Sequence, residues 1–277
     1  MTHLLAKYRA RRGTRRVSAL RLYAHYLRVN FKAGLQYKGW PLQCLQVLFI
    51  VVTDPIGVFL IFSRFGSVGA WSMERILLVY ALAVTGFGLA ELLARGYDYF
   101  PWKIRTGNFD RMLLRPRSTF VQVLGSYFHL HRGARVVGGL AAIFWCLARL
   151  EIALTLPRIL LLLCALAGGL LAYTGVFVLT SGIAFYTIAA LDWIFILTNA
   201  SYQVTRCPFP YLPTWLKGVF TFFMPMLVVS YYPASTLCGW GEPAWLGWLA
   251  LPAGLAFLLV SLGVWRLGMR RYASTGS

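Results

Sequence analysis

The chain has 277 residues, with 27 Lys and Arg against 8 Asp and Glu, and a formal net charge of +19. Hydrophobic residues make up 59% of it and charged residues 13%, whereas a soluble domain is about a quarter charged and less than half apolar. A nucleic-acid-binding protein would explain the charge but not the apolar content, and a disordered basic tail would lack the 16% of aromatic residues. The composition therefore predicts a polytopic integral membrane protein of the all-α class that does not bind nucleic acid.

Residues 1–41 form a basic N-terminal segment. We expect it not to be a cleavable signal peptide, because the first long apolar run after it is already a full span. Apolar residues recur in it at helical spacing, at Val17, Leu20, Ala24, Leu27, Phe31 and Leu35. Arg21, Arg28 and Lys32 flank this stripe. The pattern predicts an amphipathic helix in the inner membrane surface, with its cations toward anionic lipid headgroups. The alternative is a stripe that packs against neighbouring spans.

Long apolar runs predict six membrane-spanning helices within residues 42–267. They cover residues 42–62, 76–93, 136–155, 159–179, 183–202 and 245–267. Small residues four positions apart in the fourth run, such as Gly168 and Ala172, predict close approach of another helix. The stretch 208–238 is also apolar but contains Pro225 and Pro233. Because proline breaks helices, we expect an outer re-entrant hairpin between spans 5 and 6.

The distribution of basic residues predicts the orientation. Residues 1–40, the loop 94–135 and the C-terminal end from Arg266 hold ten, eight and three of the 27 basic residues. Cytoplasmic loops carry an excess of Lys and Arg, so both termini are expected in the cytoplasm, with residues 268–277 as a tail. The predicted location is the plasma (inner) membrane.

No catalytic constellation stands out. The sequence contains no GxxxxGK[ST] phosphate loop, no HExxH motif and no paired carboxylates, so we predict no catalytic residue, no metal site and no cofactor. His129 and His131 lack acidic or cysteine neighbours and are interpreted as headgroup or partner contacts. Cys207 and Cys238 bracket the hairpin on the outer side, where a disulfide could form.

The loop 94–135 contains the pattern of a short helix that ends at Pro116. Either Asn108 or Asp110 could cap it. Apolar residues three and four positions apart form one face, at Phe109, Met112 and Leu113. Because so short a helix is unstable alone, we expect it to dock on another surface. The alternative is a surface helix at the lipid headgroups.

Two strings resemble the type-2 permeases of ABC exporters, in particular the small subfamily whose members pair with a separate ATPase chain. The first is KIRTGNFDRMLLRP at 103–116, preceded by GAWSMERILLVYALA at 69–83. The second is FPYLPTWLKGVFTFFMPMLVVSYYPAS at 209–235, which resembles the outer re-entrant region and ends in the YYPA of Tyr231, Tyr232, Pro233 and Ala234. The customary acidic residue after TG in the loop is Asn108 here.

The resemblance implies an N-terminal elbow helix, six spans, a coupling helix at about 107–116 between spans 2 and 3, and an outer re-entrant hairpin. It also implies a dimer with a second copy or a related permease, over ATPase subunits that hold ATP and magnesium. An apolar face would fill a groove on the ATPase, with charged contacts at its rim. The residues implied in this coupling are Phe109, Asp110, Arg111, Met112, Leu113, Arg115 and Pro116.

Charged residues within the predicted spans are functional candidates by default. Asp54 and Arg149 would lie at similar depth, about 18–20 Å into the membrane, so a structural ion pair is the alternative to a role in the translocation path. Asp192 has no obvious partner and could face that path. Glu91, at the inner end of span 2, is expected to meet an arginine of the nearby loop.

The predicted function is therefore the permease subunit of an ATP-driven exporter, which is not itself an enzyme. A non-transporting membrane scaffold or assembly protein for a cytoplasmic partner is the alternative. An integral-membrane lipid enzyme is disfavoured, because the sequence lacks a catalytic constellation.

Overall fold

In the computed structural model, residues 18–65, 71–187, 203, 205 and 212–272 are described, and within them every regular element is helical. The predicted all-α class is thus confirmed for this part of the chain. The elements are α1 (Ala19–Gln36), α2 (Trp40–Thr53), α3 (Ile56–Phe65), α4 (Met73–Asp98), α5 (Phe100–Arg105), α6 (Asn108–Leu113), α7 (Thr119–Leu124), a 3-10 turn (Leu130–Arg132), α8 (Gly133–Arg149), α9 (Leu156–Ile183), α10 (Thr214–Gly218), a π-helical turn (Val219–Phe223), α11 (Met226–Cys238), α12 (Trp245–Trp248) and α13 (Ala250–Arg271).

Four helical segments in the described residues are long and apolar enough to cross a membrane. They are Trp40–Arg64, Met73–Arg105, Leu156–Ile183 and Trp245–Arg271. The pair Thr214–Phe223 and Met226–Cys238 would make a fifth if it is one span, although its halves meet at 98°. Most of the predicted span 183–202, including Asp192, lies outside the described residues. The number of six spans therefore stays a prediction.

The predicted third span has different bounds in the structure. α8 begins at Gly133 and ends at Arg149, not at residue 155. It ends early because Glu151 adopts a left-handed backbone conformation, with φ of 53°, and Pro157 then lies in the first turn of α9. At 17 residues α8 is about 26 Å long, slightly less than the roughly 30 Å of a bilayer core.

α4 is buried along most of its length, where it packs against α8 and α9, and α9 packs in turn against α13. Glycines allow the closest approaches. A Cβ on Gly86 of α4 would lie 3.0 Å from the Cα of Gly169 on α9, and a Cβ on Gly168 would lie 2.3 Å from the carbonyl oxygen of Ala250 on α13. The predicted close packing of the fourth apolar run is confirmed, because no larger residue fits at Gly168.

Candidate functional site in the loop after α4

The predicted short helix is present as α6, between Asn108 and Leu113. Its N-cap position is taken by Gly107, whose φ of 66° suits glycine, so the expectation that Asn108 or Asp110 caps the helix is wrong. The Asn108 side chain instead donates a hydrogen bond from Nδ2 to Oγ1 of Thr106, at 2.8 Å. Gly107 therefore sets the angle at which α6 leaves α5.

Phe109 is fully buried within the chain itself. Its ring centroid lies 4.9 Å from that of Phe100, 5.0 Å from that of Tyr272 and 5.7 Å from that of Phe185. Met112 is half-buried and packs against the same core. The expectation that Phe109 fills a groove on a partner is therefore wrong. Spacing alone showed which face of α6 is apolar, but not that the chain's own core would cover that face.

The exposed part of α6 and of the turn after it carries other side chains. Leu114 is 85% exposed and Leu113 is 44% exposed, and Arg111 and Arg115 are also exposed. Pro116 follows at the surface. Leu114 falls outside the three-and-four spacing of the apolar face, so that spacing does not predict it. The outward surface of this segment thus combines two leucines with two cations.

Asp110 connects α6 to the C-terminal end of the described chain. It is half-buried, and its Oδ1 accepts a hydrogen bond from the hydroxyl of Tyr272 at 3.0 Å. Tyr272 directly follows α13, which continues to Arg271, so residues 268–272 are part of the packed structure and not of a tail. The two partners are 162 residues apart, and no sequence pattern signals their contact.

A buried group of charges holds the inner end of α4 to the elements that follow the loop. Glu91 is 1% exposed and lies 2.6 Å from Nη1 of Arg95, 3.0 Å from Nη1 of Arg132 and 3.2 Å from Nε of Arg135. Arg95 also lies 3.3 Å from Oδ2 of Asp98. The expected contact between Glu91 and a loop arginine is confirmed. Because Arg132 and Arg135 belong to the 3-10 turn and to α8, this carboxylate joins three elements.

His129 and His131 lie beside this group, where their rings are 5.3 Å apart and His129 stacks on Tyr127 at 6.1 Å. Burial, together with the nearby positive charge of Arg132, lowers the pKa of both histidines, and that of His131 falls to about 4. Both rings are therefore neutral near pH 7. Their interpretation as headgroup or partner contacts stays a prediction.

α1 is an amphipathic helix, and the described part of its predicted apolar stripe is mostly exposed, although the ring centroid of Phe31 lies 6.2 Å from that of Phe128. Leu20 is 79% exposed, and Phe31 and Leu35 are also exposed. The packed side uses polar contacts: the Tyr23 hydroxyl donates to the Leu93 carbonyl at 2.6 Å, and Asn30 Nδ2 donates to the Gly125 carbonyl at 2.9 Å. The alternative in which the whole stripe packs against spans is therefore not the arrangement observed.

The predicted pairing of Asp54 with Arg149 is wrong. Asp54 separates α2 from α3, and its Oδ2 accepts a hydrogen bond from the Tyr80 hydroxyl at 3.1 Å. Arg149 is exposed at the end of α8, where its guanidinium lies 5.6 Å from the ring centroid of Trp145, one turn earlier. Equal depth in the membrane did not bring the two side chains together, because Arg149 turns back along its own helix.

Only one of the two prolines breaks the apolar stretch 208–238. Pro225 occupies the N-cap position of α11, where its missing N–H leaves no helical bond unmade, and the 98° bend falls there. Pro233 lies inside α11 without interrupting it, so its predicted role as a second break is wrong. Tyr231 stacks on Trp71, with ring centroids 5.9 Å apart, and meets Tyr232 edge to face at 5.3 Å. Whether the bent pair is re-entrant stays a prediction.

The predicted disulfide on the outer side has one described partner. Cys238 ends α11 and is a free thiol in the structure, whereas Cys207 lies outside the described residues.

Apolar helices long enough to cross a membrane, joined by the cation-rich segment around α6, define a multi-pass integral membrane protein. Residues 48–276 match the model of a family described as ABC-2 family transporter protein, and the chain belongs to this family. The family is a component of membrane transport, which confirms the resemblance seen in the two sequence strings. No curated protein and no solved structure matches the chain.

Proposed function

We propose that the chain is the permease subunit of an ATP-driven exporter, which works as a dimer over separate ATPase subunits. The observation that carries the proposal is the construction of α6, which is anchored in the chain's own core through Phe109 and exposes Leu113 and Leu114 on its other side. A helix held in this way can be displaced by a bound partner without detaching from the core of the chain.

The contacts of Phe109 suggest which spans would move when α6 is displaced. Phe100 lies on α5, directly after α4, whereas Phe185 follows α9 and Tyr272 follows α13. One ring therefore touches the inner ends of three helices long enough to span the membrane. Because close-packed side chains move together and do not compress, a displacement of α6 would shift these ends as a unit.

The rest of the proposed assembly follows from the exposed surfaces. α1 would lie at the inner surface of the plasma (inner) membrane as the elbow helix, with Leu20 and Leu35 toward lipid. Both chain termini would lie in the cytoplasm. The exposed apolar residues of α2, such as Leu45 and Phe49, would face lipid or the second permease. Asp54 and Asp192 stay candidates for the translocation path, and the bent pair around Pro225 would form the outer re-entrant hairpin.

A non-transporting scaffold is the second candidate, but membership of a transporter family does not favour it. The two candidates differ in whether the partner is an ATPase whose activity depends on this chain.

The experiment is purification of the tagged chain from its native membranes in mild detergent, followed by measurement of ATP hydrolysis in the purified fraction. The variant Leu114→Asp places a charge on the most exposed leucine of the α6 segment, and we expect it to lose the co-purifying hydrolysis at least tenfold. Leu154→Asp is the matched control, because Leu154 is 50% exposed in the loop between α8 and α9, at the other end of those helices. A wild-type chain that co-purifies with no ATPase would refute the proposal.

A further inference from the structure

A cleft of about 540 Å³ opens between α1 and the loop that contains α5, α6 and α7. Three cations line it, Lys103 from α5, Arg111 from α6 and Arg115 just after α6. None of the described residues that line the cleft is acidic. The cleft is therefore a concave site of strongly positive potential, formed by four elements, and not a patch of scattered surface charges.

Lys103 is the deepest of the three cations. Its side chain is buried, with the residue only 7% exposed, and its Nζ lies 4.8 Å from the ring centroid of Tyr127. No carboxylate within the described ranges lies at ion-pair distance from Lys103. Removal of an ammonium group from water is costly unless the charge finds a counter-charge, so a buried lysine that faces a cleft favours an anion there.

The rim of the cleft is apolar on the side of α1. Val29 of α1 is 50% exposed and Trp102 of α5 is 56% exposed, and both line the cleft. A tryptophan beside cations is typical of the interface between lipid headgroups and acyl chains. An anion with an apolar continuation matches this lining better than an acidic peptide, which would leave the indole and the valine in water.

We propose that this cleft binds the phosphate of an anionic phospholipid of the inner leaflet, with the acyl chains directed past Val29 and Trp102 along α1. This inference rests on the proposed function only for the placement of α1 at the inner membrane surface. The guanidinium groups of Arg111 and Arg115 supply paired N–H donors that match phosphate oxygens. Lys103, at the buried end of the cleft, neutralises the negative charge of the phosphate. The bound lipid connects the elbow helix to α6, so that the position of α6 depends on the lipid composition of the inner leaflet.

The test is native mass spectrometry of the purified, delipidated chain after titration with phosphatidylglycerol, with phosphatidylcholine and inorganic phosphate as the other two probes. We expect one tightly bound phosphatidylglycerol per chain, and at least tenfold weaker binding of phosphatidylcholine. In the variant Lys103→Gln/Arg111→Gln/Arg115→Gln the affinity for phosphatidylglycerol should fall by about fivefold for each cation removed, about 100-fold in all. The variant Arg111→Gln/Arg115→Gln leaves the buried lysine in place and should fall by about 25-fold.

The matched control is Arg117→Gln/Arg266→Gln/Arg270→Gln, which removes the same charge from exposed positions outside the cleft and should keep the wild-type affinity. Equal loss in the control and in the cleft variants would show general surface attraction and overturn the proposal. Competition by inorganic phosphate at equal concentration would assign the site to free phosphate instead of lipid. Loss of a co-purifying ATPase in the cleft variants, with lipid binding unchanged, would assign the cleft to a protein contact. Because lipid binding is measured on the permease alone, failure to find an ATPase leaves this result intact.

Discussion

Replacement of Phe109 by alanine tests whether α6 is anchored in the chain's own core. Phe109 is fully buried and touches three other aromatic rings, with centroids 4.9–5.7 Å away. Truncation of a buried phenylalanine to alanine costs about 3–5 kcal/mol, and the largest values occur where rigid neighbours cannot collapse into the cavity. Because these neighbours come from α5 and from the ends of α9 and α13, we expect the upper half of that range, which corresponds to a fall in Tm of about 10 °C.

The assay is thermal unfolding of the purified chain in detergent, with Leu114→Ala as the comparison. Leu114 is 85% exposed, so its truncation should change the free energy of unfolding by less than about 0.5 kcal/mol. If Phe109 anchors α6, Phe109→Ala lowers Tm strongly and Leu114→Ala does not. An unchanged Tm for Phe109→Ala, combined with loss of partner binding, would refute it, because the phenylalanine would then face the partner.

Three further predictions concern the same end of the molecule. Glu91→Gln leaves the arginines around it without their shared carboxylate and should lower the free energy of unfolding by about 3–5 kcal/mol in thermal scans; a loss below 1 kcal/mol would contradict the ion-pair geometry. Tyr272→Phe keeps the ring but removes the bond to Asp110, and should cost about 1 kcal/mol; Asp110→Asn, which keeps an acceptor, should cost less. His131 has a pKa of about 4 in the folded chain, because of burial and the positive charge of Arg132, against about 6.5 when unfolded. The unfolded chain therefore binds more protons, and Tm should fall as the pH drops from 6.5 to 4; His131→Gln should reduce that fall, and equal pH profiles would contradict it.

The membrane helices were predictable because a bilayer demands about 20 apolar residues in a row, and few other constraints produce such runs. The bounds were less accurate where local backbone decides them. The end of α8 depends on the left-handed conformation of Glu151, and the bend before α11 depends on Pro225 but not on Pro233. A proline can stay inside a helix whose neighbours satisfy the freed backbone, and sequence alone does not show which prolines do so.

The candidate site was predictable in location but not in orientation. The short helix lies where spacing and Pro116 predict it. However, the apolar face expected to bind a partner is the one whose Phe109 is buried in the chain's own core. The residues that determine this, Phe185 and Tyr272, are distant in sequence and become neighbours only through packing. Local periodicity reports that a face is apolar, whereas tertiary contacts decide what covers it.

The proposed movement of this permease by ATP on a partner, transmitted through α6, is tested most directly by a distance between two copies of the segment. A spin label at Leu114→Cys, in a chain whose native cysteines are replaced by serine, reports that distance by electron double resonance in the complex purified from native membranes. We expect a single interlabel distance without nucleotide and a shorter one with ATP, which reverts after hydrolysis. Absence of any dipolar coupling, or the same distance with and without ATP, would contradict it.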